Sequence, residues 1–140
     1  MTNETLTACK ELLKKQEGLR LKTYRCTAGA LTIGFGRNLD AKGISRDEAE
    51  LMFENDVNLC VEQVKKEFGT TFDNLTPSRQ SVLVNMCFNL GIGGLMGFKR
   101  TIAHIRSGSF DLAATEMLNS RWATQVKNRA NVLSEMMRRG

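Results

Sequence analysis

The 140-residue sequence predicts a mostly helical α+β protein of two lobes, because three features follow one another in order along the chain. Both ends carry apolar residues at helical spacing. A glycine-punctuated, β-branched stretch from Arg20 to Gly36 separates them, and one long amphipathic run leads out of that stretch into the helices beyond it. A small sheet, a connecting helix and a helical lobe follow, with a cleft expected between the lobes.

Each element has its own signal. Leu6, Cys9, Leu12 and Leu13 recur at i, i+3, i+6 and i+7, giving a short helix that Glu17-Gly18 ends. Thr23, Tyr24, Thr27, Thr32, Ile33 and Phe35 alternate with glycines and read as short strands and tight turns. Ser45-Arg46-Asp47-Glu48 fits a capping box and opens a helix of roughly six turns, with Ala49, Phe53, Val57, Cys60, Val64 and Phe68 on one face. Gly69 to Leu75 is a polar break. Thr76-Pro77 supplies the cap and first-turn proline of a more apolar, central helix to about Leu90. Gly91 to Gly97 reads as a connector, and Phe98 to Ile105, Ser109 to Leu118 and Val126 to Met137 as three shorter helices. The lobes are expected over about 15–58 and about 59–140, the second also holding the N-terminal helix, within one domain of 1–140.

Composition narrows the function. The chain is 41% hydrophobic and 25% charged with one proline, the profile of a globular domain that folds without staples. No apolar run reaches the roughly 18 residues a membrane span requires. The opening residues, MTNETLTACKELLKK, lack the basic start and apolar stretch of a secretory signal, so a cytoplasmic origin and free thiols are expected. Cys9, Cys26, Cys60 and Cys87 form no C-x-x-C pair, and His104 is the single histidine, so neither metal nor cofactor is expected. By helical spacing Cys9, Cys60 and Cys87 are core residues. Met1 to Gly97 balances 12 basic against 12 acidic residues, whereas Phe98 to Gly140 holds 8 against 3. Such a cationic end can attract nucleic acid, anionic lipid or an acidic cell wall, and charge alone does not choose. A cationic wall-binding or membrane-disrupting module without catalysis and a nucleic-acid binder are the competing classes.

Nucleotide motifs fail. Gly34-x-Gly36 and Gly91-x-Gly93 both lack a third glycine in register, no Walker loop is present, and no histidine stands near a serine or cysteine in a hydrolase signature. What remains is Glu17 at a helix end, with Cys26 and Thr32 from the small sheet, an acid, a thiol and a hydroxyl that convergent elements can bring together. On spacing alone Glu17 also reads as a solvated helix-end acid, Cys26 as buried filler and Thr32 as an ordinary strand residue.

The stretch E-G-L-R-L-K-T-Y-R-C-T-A-G-A-L-T-I-G-F-G resembles the phage-type lysozymes, endolysins of glycoside hydrolase family 24, whose mark is Glu, eight residues, Asp or Cys, five residues, Thr. Glu17, Cys26 and Thr32 match it without a gap. The likeness continues through Ser45-Arg-Asp-Glu-Ala-Glu, Asp56-Val57, Asn85-Met-Cys-Phe-Asn-Leu-Gly91, Gly97-Phe98, Arg121-Trp122, Gln125 and Asn128-Arg129-Ala130. Three departures from the T-even form stand out: a short link from Leu39 to Ile44, an end soon after Met137, and cysteine at the middle catalytic position.

The resemblance implies a lysozyme-like fold and hydrolysis of the β-1,4 bond between N-acetylmuramic acid and N-acetylglucosamine in peptidoglycan, lysing the host at the end of a phage cycle. It implies Glu17 as general acid and Thr32 as a water-holding hydroxyl. Cys26 remains open among thiolate base, nucleophile and polar spacer. Arg129 is expected to orient Glu17, and Phe88 and Thr101 to contact sugar, although Phe88 reads equally as a core aromatic. Glu116 stands at another such position, where the T-even form has asparagine, and Trp122 is expected to be structural. The implied partners are peptidoglycan glycan strands, and anionic outer-membrane or wall components through the basic C-terminal end. A monomer without a nucleic-acid partner is expected, made in the host cytoplasm and reaching the wall through a holin.

Overall fold

The computed structural model describes all 140 residues. By internal packing the chain divides into Met1–Glu50 and Leu51–Gly140. The sequence reading put that boundary near residue 58 and grouped the N-terminal helix with the helical lobe; here the helix is counted with the sheet.

In the first unit, α1 runs Asn3–Glu17. The Thr2 hydroxyl accepts from the Thr5 amide at 3.1 Å, Lys14 and Lys15 sit in the last turn, and the Gly18 amide closes on the Lys14 carbonyl. α1 buries none of its residues. The reading of Cys9 as core is therefore corrected, because helical spacing marks a face without saying what covers it. The chain then turns into a three-stranded antiparallel sheet: β1 (Arg20–Arg25), β2 (Leu31–Gly34) and β3 (Arg37–Asn38), in that order. Tyr24 pairs with Thr32, and Thr32 with Asn38. Asn38 also caps a single-turn helix, α2 (Leu39–Lys42), which the sequence reading treated as a link. Ser45 and Glu48 form the predicted capping box, each side chain accepting the other's amide, and they start α3 (Arg46–Phe68).

The second unit takes the rest of α3, where Cys60, Val64 and Phe68 are buried while Phe53 is exposed. The polar break contains one helical turn, α4 (Thr70–Asp73). α5 (Pro77–Met96) is central as predicted, burying Val82, Leu83, Met86 and Cys87, and it extends past Leu90. Gly91, at φ 76° and ψ 164°, breaks the helical path, after which the chain resumes helix and buries Leu95. α6 (Lys99–Arg106), α7 (Phe110–Leu118), α8 (Arg121–Val126) and α9 (Asn128–Arg139) complete the unit, with α7 packed on α6 and α9. The helix expected over Val126 to Met137 is α9, which starts two residues later because Lys127 takes φ 52°, and α8 before it was not read as helix in the sequence. No single helix is long and apolar enough to cross a membrane.

Candidate active site

Three of the residues singled out in the sequence lie in the first unit. Glu17 closes α1, and its carboxyl rests against the β2–β3 turn at Gly36. A Cβ at position 36 would fall 2.5 Å from Glu17 Oε2 and 2.9 Å from Cδ, so the bare backbone there is what leaves the carboxylate its place. Gly36 also holds φ 74°, which any side chain would disfavour.

Cys26 and Thr32 are brought together by the hairpin. Cys26 follows β1 directly, its amide donating to the Ala30 carbonyl at 3.0 Å, while the Gly29 amide donates to the Cys26 carbonyl at 2.8 Å. This turn aims the backbone amides of Ala30 and Ala28 at the sulfur and puts the Thr32 side chain beside it. Hydrogen bonding by Ala30 and then Ala28 lowers the thiol pKa below its ordinary value, outweighing partial burial, and Thr32 adds in the same direction. Thr32 is 3% exposed, and its hydroxyl donates to the Ala30 carbonyl at 2.8 Å. A hydroxyl has one proton, so Thr32 donates it either to the Ala30 carbonyl or to the Cys26 sulfur, and in the first case its oxygen is left as an acceptor.

Beneath this hairpin, the Leu31 amide donates to Asp40 Oδ2 at 2.8 Å, and Arg37 grips Glu48 through two bonds of 2.9 and 2.7 Å. The sheet is thereby tied to α2 and to the first turn of α3. Sequence reasoning missed Gly36 and the Ala28 and Ala30 amides. The signal for the first is present in the sequence, since Gly36 ends the stretch that carries the family resemblance.

The other named residues belong to the second unit. Arg129 Nε donates to Asn85 Oδ1 at 3.0 Å, and both line a pocket of about 690 Å³ with Phe88 and Phe53. The two rings meet edge to face at 5.7 Å, and Phe88 keeps 42% of its surface, a pocket wall in place of the core position also considered. Thr101, 3% exposed, and Glu116 line a different pocket of about 560 Å³. Trp122 is structural: it is 4% exposed, donates from Nε1 to Asn89 Oδ1 at 2.8 Å, and packs edge to face on Phe98.

Comparison with known proteins bears on what this arrangement does. The phage lysozyme family model matches residues 14–140, nearly the whole chain and all seven candidate site residues. The chain belongs to the phage lysozyme family. As a lysozyme it is a glycoside hydrolase. It is similar to two Dictyostelium discoideum proteins, "Probable T4-type lysozyme 1", 28% identical with 96% of each chain covered, and "Probable T4-type lysozyme 2", 29% identical with 90% and 91% covered. It also resembles the "Endolysin" of Acyrthosiphon pisum secondary endosymbiont phage 1, 31% identical over 84 residues that span 58% of this lysozyme and 56% of the endolysin.

Proposed function

We propose that this lysozyme is a muramidase that cleaves the β-1,4 bond between N-acetylmuramic acid and N-acetylglucosamine in peptidoglycan, with Glu17, Cys26 and Thr32 as its catalytic residues. The observation that carries this reading is the lowered pKa of Cys26 beside Thr32, in the sheet whose β2–β3 turn holds the Glu17 carboxyl.

The chemistry follows from who holds which proton. A glycosidic oxygen leaves poorly unless it is protonated as the bond breaks, so Glu17 donates its proton there. When the Thr32 hydroxyl gives its proton to Ala30, a water between Thr32 and the Cys26 thiolate donates one hydrogen to each acceptor and turns a lone pair toward the sugar. Attack at the anomeric carbon passes the water's proton to Cys26, the leaving oxygen takes the proton of Glu17, and configuration inverts. Proton exchange with solvent resets both groups. Of the three roles open to Cys26, thiolate base is the one favoured by amide donors that stabilise its charge.

The endolysin similarity supports a further reading, lysis of the host from the wall side once the enzyme leaves the cytoplasm through a membrane opened by a separate protein. The deciding experiment assays purified peptidoglycan with the parent and Glu17→Gln, scoring new reducing ends and the anomer first formed. The parent should release them with inverted configuration, and the variant should retain its fold with activity down by about 10²-fold or more. Equal activity in the variant would move the acid elsewhere, and a retained anomer would make Cys26 the nucleophile. Expression with and without a membrane permeabiliser tests the release route, lysis being expected only with it.

A further inference from the structure

Cys26 opens the turn between β1 and β2, and one carboxylate from outside the sheet holds that turn. Arg25 and Leu31 stand opposite one another at the end of the antiparallel pair, so residues 26–30 form the loop they close. Asp40, in the first turn of α2, reaches both of them. Its Oδ2 accepts the Leu31 amide at 2.8 Å and lies 3.6 Å from Arg25 Nη1, and the same Nη1 donates to the Gly29 carbonyl at 3.2 Å. Asp40 therefore fastens the two ends of the loop directly and its interior through Arg25.

Stability is a poor reason for this arrangement, because the Arg25 and Asp40 side chains are more than half exposed and exposed ion pairs contribute little. What the contacts fix is the direction of backbone amides. The Cys26 thiol is held below its ordinary pKa by the Ala30 amide, then by that of Ala28, with a smaller part from Thr32, and no charged side chain is among the groups responsible. Such bonds weaken steeply with misalignment, so the shape of the loop governs the charge on the sulfur. Building on the reading of Cys26 as catalytic base, we propose that Asp40 is a positioning residue for it: by binding Leu31 and Arg25, Asp40 keeps the 26–30 loop in the shape that aims the Ala30 and Ala28 amides at the sulfur.

Positioning and plain charge predict opposite signs. An anion near a thiol disfavours the thiolate, so by charge alone the loss of Asp40 would lower the Cys26 pKa. Loss of the loop's shape takes amide donors off the sulfur and raises it.

The test uses the whole enzyme and measures the thiol itself, from the pH dependence of alkylation by iodoacetamide read on the Cys26 peptide, alongside kcat and KM on peptidoglycan. Asp40→Ala should raise the Cys26 pKa by about one unit and lower kcat near neutral pH on the order of tenfold, with KM held. Asp40→Asn keeps an oxygen for the Leu31 amide and should restore most of both. No rise on Asp40→Ala, or a fall, would overturn the proposal. Should that variant fail to fold, Arg25→Gln at an exposed position takes its place; it should raise the pKa, and no rise there would overturn the proposal equally. A raised pKa with kcat unchanged would uphold the positioning and overturn the role of Cys26 as base. A parent that releases no reducing ends would overturn the muramidase reading, while the alkylation profile still decides for or against Asp40.

Discussion

Gly36 and Glu17 share one space: the carboxyl of Glu17 lies where a side chain at position 36 would begin, 2.5 Å from the site of its Cβ. The helix end and the sheet turn lie nineteen positions apart in the sequence, and their fit depends on an atom that glycine lacks. Gly36→Ala must therefore displace the proposed acid as well as strain a backbone at φ 74°. Stability should fall by about 1 kcal/mol in a denaturant titration. Turnover on peptidoglycan should fall at least tenfold in kcat, well beyond what that loss of stability explains. A variant with normal kcat would show that the carboxyl has no need of this place.

The Arg37–Glu48 pair makes stability depend on acid pH. Glu48 accepts two bonds from Arg37 and one from the Ser45 amide, and its pKa is lowered to about 2, first by the Arg37 hydrogen bond and then by Ser45. A carboxylate depressed on folding contributes stability that is fully present above its unfolded pKa of about 4.3 and is lost as pH falls through the folded value. Thermal melts of the parent should decline from about pH 4.5 toward pH 2. Glu48→Gln should lower the melting temperature at pH 7 and flatten that part of the curve. Matching slopes for the two proteins would assign the acid sensitivity to other carboxylates.

Cys26 should set the acid limb of the pH–rate profile. With Cys26 as the proposed base, activity requires the thiolate, so kcat should rise with pH through a thiol pKa that Ala30 and Ala28 hold below its ordinary value. Cys26→Asp should stay active, with its limb moved down toward the carboxylate range near 4. Cys26→Ala should lose most activity with little change in stability. Full activity in the alanine variant would end the catalytic assignment of the residue and leave Glu17 and Thr32 as the working pair.

Arg79 should anchor the end of the chain. Its guanidinium lies 3.5 Å from the Phe110 ring centroid and donates to the Met137 and Arg138 carbonyls at 2.7 and 2.9 Å, closing the last turn of α9. A lysine keeps the charge and loses the planar fork. Arg79→Lys is expected to cost about 1–2 kcal/mol, read from the urea midpoint, with kcat on peptidoglycan unchanged. A shift below a few tenths of a kcal/mol would show that neither the stacking nor the carbonyl bonds matter.

Local rules carried much of the fold in the sequence. The capping box at Ser45 and Glu48, the Thr76-Pro77 start and the glycine-broken strands each encode their element within four or five residues, and each formed where the pattern put it. Glu17, Cys26 and Thr32 stood out in the sequence through the resemblance to the phage-type lysozymes, because on spacing alone each reads as an ordinary residue. Tertiary structure decided what local pattern leaves undetermined. Cys9 and Cys60 share apolar periodicity, yet one is exposed and the other buried, since burial depends on the neighbour and not on the helix. Lys127 adopts a positive φ that ends the unread helix α8 and moves the start of the helix expected from Val126 to Asn128, a cost that only surrounding contacts can impose. The lowered Cys26 thiol arises from amides that point at sulfur only once the hairpin closes, and the place of the Glu17 carboxyl arises from a missing Cβ nineteen residues away. Spacing along a chain specifies helices and strands, whereas distances through space specify protons and charges.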